Sequence, residues 1–187
     1  MTSGAETYAA RVAAVIAQQA RLQGSSFEGM AVWDRMARQF RMDPHPEDVV
    51  VDVGGGAGRV GLPLALGCRE LVNVEPSPGM GTEFNESAKE AGITNARLVT
   101  ADWLDDHAVV GDVTVVCNVT YFVSDIVRFV EKLMNASRRR VLIGVWSTPP
   151  PNGSAQMWPT IFGEPQEPVP GHRELLPVLW EMGTLPD

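Results

Sequence analysis

The sequence predicts an α/β protein: a parallel sheet of five strands with helices on both faces. Three observations predict it. From Asp48 onward, short β-branched runs alternate with helix-like stretches, the pattern of strand–helix–strand units. The first run, "DVVVDV", is nearly continuous in β-branched residues, as a strand covered on both faces is. The first run, in "VVVDVGGGAGRVG" (Val49 to Gly61), passes directly into four glycines within the five positions 54–58.

A chain of 187 residues suits one domain with a sizeable core. Hydrophobic residues are 44% and charged ones 20%, a globular balance. The formal net charge of −8 argues against a nucleic-acid partner, because holding phosphates requires a basic surface. The one basic cluster, Arg138-Arg139-Arg140, falls where a helix should end and reads as solvated cations facing the helix dipole. Cys68 and Cys117 lack metal-ligand spacing, and His45, His107 and His172 form no ligand pattern, so no metal site is expected. Without a signal-peptide pattern or an apolar run of membrane length, a cytoplasmic protein is expected, free of any membrane partner.

The elements follow in order. "ETYAARVAAVIAQQARLQ" and "GMAVWDRMARQF" read as two helices, forming an N-terminal cap over residues 1–43; "RMDPHPED" then breaks the pattern with two prolines. "DVVVDV" is the first strand. "AGRVGLPLALG" follows as a helix with Pro63 in its first turn. "ELVNVE" is the second strand, "GMGTEFNESAKEAG" the second helix of the core, and "ARLVT" the third strand. After a short connection at "WLDDHAVV" come a fourth strand, "DVTVVCNV", and the amphipathic helix "SDIVRFVEKLMNASR", with Ser124 as its expected N-cap. "RVLIGVW" is the fifth strand, closing a core over 48–146.

Residues 147–171 form a structured loop: Thr148 to Gly171 holds seven of the fourteen prolines. Trp158 and Phe162 are expected to anchor it and to wall an apolar acceptor pocket. Residues 172–187 read as a C-terminal helix. The whole is a single domain.

A glycine-rich turn behind the first strand lets a ligand lie against the main chain. A nucleoside triphosphate would require Gly-Lys-Ser/Thr, whereas Gly61 is followed by Leu62 and Pro63. A nicotinamide dinucleotide is a stronger rival. Gly56, Gly58 and Gly61 spell G-x-G-x-x-G, with Glu75 nineteen residues beyond Gly56, but the triplet starts two residues late for the strand end.

Asp52-Val53-Gly54-Gly55-Gly56-Ala57-Gly58 has the form D-x-G-x-G-x-G. It resembles the first motif of the class I S-adenosylmethionine-dependent methyltransferases, which share a Rossmann-like sheet. "NVEPSPGM" is similar to that family's second motif, "TADW" to its acid-plus-aromatic step, and "VVCNVTYFVSD" to its fourth-strand exit. The resemblance runs from about Met30 to Trp146, and four motifs in order are more specific than any one.

The resemblance implies S-adenosylmethionine as cofactor and S-adenosylhomocysteine as product. Glu75 would accept both ribose hydroxyls, and Asp102 the adenine amine. Trp103 and Met80 would cover the ring, and Pro76 would shape the wall. Gly54, Gly56 and Gly58 would support the methionine end, with Asp52 near the loop and the ammonium, while Gly55 is less clearly required. Asn118 sits at the fourth-strand exit. Its run, Asn118-Val119-Thr120-Tyr121, begins like the signature of nucleic-acid amino methyltransferases but lacks both prolines.

The function expected is therefore methylation of a small-molecule acceptor by in-line displacement. A non-catalytic cofactor-binding scaffold of the same fold is the alternative, and a dehydrogenase a lesser one. No residue is assigned as catalytic; Tyr121 and His172 are only conceivable acid/base groups. Two further strands of the family's sheet are not evident, so the chain reads as truncated. The fifth strand would then be an edge that pairs with another chain, as in a homodimer, or that the 148–171 loop covers.

Overall fold

The computed structural model describes residues 44–186; the two expected N-terminal helices lie outside the described residues. The sheet is five-stranded and parallel throughout, in the order β3-β2-β1-β4-β5, as the sequence predicts. β1 (Val49–Val53) lies at the centre because every one of its residues is buried. β2 (Glu70–Val74) and β3 (Ala96–Val99) extend the sheet on one side, β4 (Gly111–Cys117) and β5 (Ser137–Gly144) on the other.

The period-two alternation of β1 divides the core into two layers. Val50 faces one side with Leu71, Val113 and Val115, under the helices α1 (Gly61–Ala65) and α2 (Pro78–Glu90), which contribute Leu62, Leu64, Phe84 and Ala88. Val49, Val51 and Val53 face the other side, against Trp103 and α3 (Ile126–Ala136), which contributes Phe129 and Leu133.

Three boundaries differ from expectation, each for a local reason. α1 has five residues, starting only at Gly61, since the glycine loop occupies the preceding positions. α3 is capped by Asp125 rather than Ser124: its carboxylate accepts from the Arg128 N–H at 3.3 Å. The arginine run does not solvate the end of α3 but lies inside β5. There Arg138 pairs with Asp112 at 3.3 Å and Arg139 pairs with the buried Asp48. Side chains from the strand starts thus neutralise two of the three cations, drawing the run into the sheet.

Beyond β5 the 148–171 segment folds back on itself through α4 (Pro150–Gly153) and α5 (Trp158–Phe162). The Asn152 amide closes it, donating to the Val169 carbonyl and accepting from the Val169 N–H, both at 2.9 Å. α6 (His172–Glu181) then packs Leu175 and Leu179 on Val130 of α3, flanked by Ile143 and Val145. Among the described residues no strand pairs with the outer edge of β5. None of their helices is long and apolar enough to cross a membrane.

Candidate functional site

At the carboxyl ends of β1, β2 and β4 the chain leaves the sheet in three turns that meet. Such a crevice, where the strand order reverses, is the usual ligand position in an open α/β sheet. The glycine loop leaves β1 with its first N–H, that of Gly54, donating to the Val74 carbonyl at 2.8 Å. Gly54, Gly56 and Gly58 all have positive φ, a conformation that side chains disfavour. At Gly56 the Met80 Sδ, 4.0 Å away, is the one described atom a Cβ would touch, so among the described residues the main chain there is open on its outer side.

Glu75 fixes this loop. Its Oε2 accepts from the Gly56 N–H at 3.0 Å and its Oε1 from the Ser77 N–H at 2.8 Å, so one buried carboxylate ties the β1 turn to the β2 turn. Ser77 caps α2 by accepting from the Met80 N–H, which places Met80 on the rim of the loop; Pro76 is exposed beside it. From β4, Val119 leans over Gly54, its Cγ2 only 2.6 Å from where a Cβ would stand.

Asn118, between them, is the one described non-glycine residue with positive φ (62°). Its Oδ1 accepts from the Tyr121 hydroxyl at 3.2 Å, and that hydroxyl accepts from the Trp146 N–H at 2.5 Å. Tyr121 is buried, and its phenol is pushed up by burial. The hydroxyl therefore braces the β4 exit against the β5 exit.

Two predicted residues sit elsewhere than expected. Trp103 is 4% exposed and lies within the core layer of α3, its Nε1 donating to the Phe129 carbonyl at 3.4 Å. Its surface is spent on the core, leaving no face to cover a ring in the crevice. Asp52 is 1% exposed and lies beneath the loop rather than beside its open face. Burial and the Glu75 charge raise its carboxyl to about 7, against a smaller pull from the Gly61 N–H.

Gly55, less clearly required by the sequence, is required by this placement. A Cβ there would stand 2.4 Å from Asp52 Oδ2 and 2.6 Å from Asn73 Oδ1. Asp102 is exposed, with its Oδ1 accepting from the Leu104 N–H at 2.8 Å.

No protein-family model matches the chain. Among solved structures, the magnesium protoporphyrin IX methyltransferase of Synechocystis PCC 6803, with bound SAH, superposes on 82% of this chain and 72% of its own. Its TM-score is 0.64 at 18% identity. The chain has the Rossmann-like methyltransferase fold. Coclaurine N-methyltransferase shares this fold with a TM-score of 0.55 at 16% identity, over 66% of this chain and 38% of that one.

One curated relative of the chain is the 23S rRNA (uracil(1939)-C(5))-methyltransferase RlmD of Xanthomonas campestris pv. campestris, 38% identical over 66 residues. That segment is 35% of this chain and only 15% of the relative. The match corrects the exclusion of nucleic acid drawn from net charge. A global charge of −8 averages over the whole surface, while binding depends on the local field at one face.

A groove of about 810 Å³ runs along β5 and α6 and reaches the crevice at Cys117 and Asn118. Trp146, His172 and Leu175 line it, whereas Trp158 and Phe162 stack on each other with ring centroids 4.2 Å apart and do not. The Cys117 thiol, at the inner end, is pushed up to about 12 by burial and stays protonated.

Sequence reasoning passed over Asn73, Ser77 and Val119. Asn73 had a signal: it is the polar residue inside the otherwise apolar "LVNV" of a doubly covered strand.

Proposed function

We propose that this domain binds S-adenosylmethionine in the crevice and transfers its methyl group to an acceptor held at the β4 side. The observation that carries the reading is the Glu75 carboxylate, buried at the end of β2 and fixed across to a glycine surface that is open at Gly56. Each carboxylate oxygen accepts one backbone N–H and keeps a lone pair, so the pair can still receive two ribose hydroxyls. The main chain open at Gly56 suits the methionine end, while Gly54 and Gly58 set the loop's path against Val119 and against Leu62 and Phe84. Met80 and Pro76 form the adenine wall, and Asp102 offers its second carboxylate oxygen to the exocyclic amine.

S-adenosylmethionine supplies a methyl group already activated on a sulfonium. The protein's share is then to hold the acceptor in line. Well-oriented intramolecular systems gain roughly 7–11 kcal/mol from such positioning. Asn118 faces that side, held by Tyr121.

An RNA base is the acceptor class that the rRNA-methylating relatives favour. Incubation with methyl-tritiated S-adenosylmethionine and 23S rRNA should label the RNA. Label that appears only in a small-molecule extract would move the acceptor to that class. Calorimetry in which NAD binds and neither S-adenosylmethionine nor S-adenosylhomocysteine does would remove the reading altogether.

A further inference from the structure

Asp52 of β1 and Asn73 of β2 are register partners in the parallel pair, so their side chains stand side by side on one face. It is the face of Val50 and Leu71, covered by α1 and α2, and the two residues are 1% and 0% exposed. Gly55 and Gly61 close over them. The Cβ position of Gly55 lies 2.4 Å from Asp52 Oδ2 and 2.6 Å from Asn73 Oδ1, and that of Gly61 lies 2.6 Å from the same Asp52 oxygen.

The Asn73 amide has its orientation fixed, because Nδ2 donates to the Gly56 carbonyl at 2.9 Å. Turned over, it would set its oxygen against that carbonyl at the same distance. Asn73 Oδ1 therefore faces the Asp52 carboxyl as an acceptor. Among the described residues, neither Asp52 Oδ2 nor Asn73 Oδ1 has a hydrogen-bond partner. Two buried acceptors facing one another without a donor are costly, and more so if one carries charge. The Asp52 carboxyl can cure both defects by keeping its own proton.

We propose that Asp52 stays protonated in the folded protein and donates to Asn73 Oδ1, an acid–amide clasp that holds the glycine loop onto β1 and β2. The chain of contacts runs Asp52 to Asn73, and Asn73 Nδ2 to the Gly56 carbonyl. Gly56 is the same residue whose N–H meets Glu75. Asp52 is thus a positioning residue for the cofactor platform, and this role rests on the reading of that platform given above.

The groups acting on Asp52 agree. Burial and then Glu75, at the end of β2, raise its carboxyl to about 7; α1 gives only the Gly61 N–H, and none of the ionisable side chains of α2 acts on it. Cys117, at the end of β4, is a neutral thiol because burial raises it, so it sets no charge against Asp52. Above neutrality the proton leaves, the clasp opens, and the loop loses its inner support.

Calorimetric titration of the full chain with S-adenosylhomocysteine tests this. The dissociation constant should rise several-fold between about pH 6 and about pH 8.5. Asp52→Asn, which supplies an N–H donor at the same place, should bind within about threefold of the native affinity at the lower pH, with the pH dependence gone. A native chain that binds equally across the range overturns the proposal. So does an Asp52→Asn chain that loses affinity at every pH as badly as Asp52→Ala.

Infrared difference spectra of the native chain give an answer free of ligand and variant. At about pH 6 the carbonyl stretch of a protonated carboxylic acid should be present, and its absence overturns the clasp. If S-adenosylhomocysteine fails to bind at every pH, the proposed function falls while the infrared band still decides the clasp.

Discussion

Glu75 serves two structures with one carboxylate: the loop now, through Gly56 and Ser77, and the ribose in the proposed complex. Glu75→Ala should therefore weaken S-adenosylhomocysteine by more than about tenfold, since a hydrogen bond to a charged group is worth roughly 1.5–3 kcal/mol. Glu83→Ala, on the exposed face of α2, should leave calorimetric affinity unchanged; equal small losses would take Glu75 off the ribose.

Asp52 predicts a pH effect on stability. Its carboxyl is raised in the folded chain from 3.8 to about 7, so the folded state binds more protons than the unfolded over that interval. Stability from this group accordingly falls as pH rises from about 4 to about 7, then stays flat. The full span is on the order of 4 kcal/mol. Subtracting the melts of Asp52→Asn from those of the native chain isolates this slope, because groups such as Asp112, held low by the Val49 N–H, cancel. A difference that is constant with pH would contradict it.

Among the elements, strands were more legible than their junctions. β1 and β4 are rich in β-branched residues, and strand–helix alternation implies parallel crossovers, which explains why the sheet is readable. The arginine run was misplaced because its assignment to β5 depends on Asp48 and Asp112, partners at the starts of two other strands. Trp103 follows β3 in the position of a ring-covering aromatic, yet it turns inward because α3 offers it Phe129. The need for Gly55 was hidden for a similar reason: it arises from Asp52, turned under the loop, and from Asn73, which lies eighteen residues away in sequence and underneath in the sheet.

Gly55→Ala should lower stability in thermal melts by about 1–3 kcal/mol, the usual range for forced overpacking. Gly153→Ala, in α4, meets nothing within 4 Å and should stay within about 0.5 kcal/mol of native. Similar melting shifts for the two would mean that the loop can lift off Asp52 without strain.

Across the whole molecule, ligand binding and folding are linked. A cofactor that binds only the folded state at a hundredfold excess over its dissociation constant adds about 2.7 kcal/mol. For a domain of this size that should raise the melting temperature by roughly 5–10 °C with S-adenosylhomocysteine. NAD should not shift it, and the reverse pattern would favour the dehydrogenase reading.

The central place of β1 also has a consequence in time. Its neighbour β4 begins at Gly111, whereas β1 ends at Val53, and the two pair along Val50–Val53. During synthesis at about 5–20 residues per second, β1 waits roughly 3–12 s for that partner while β2 and β3 are made. Throughout the wait the exposed edge is the valine strand itself, and Asp52 and Glu75 already stand at the end of it. The growing chain thus presents its future cofactor platform and its stickiest edge together, and the arrival of β4 completes one while covering the other.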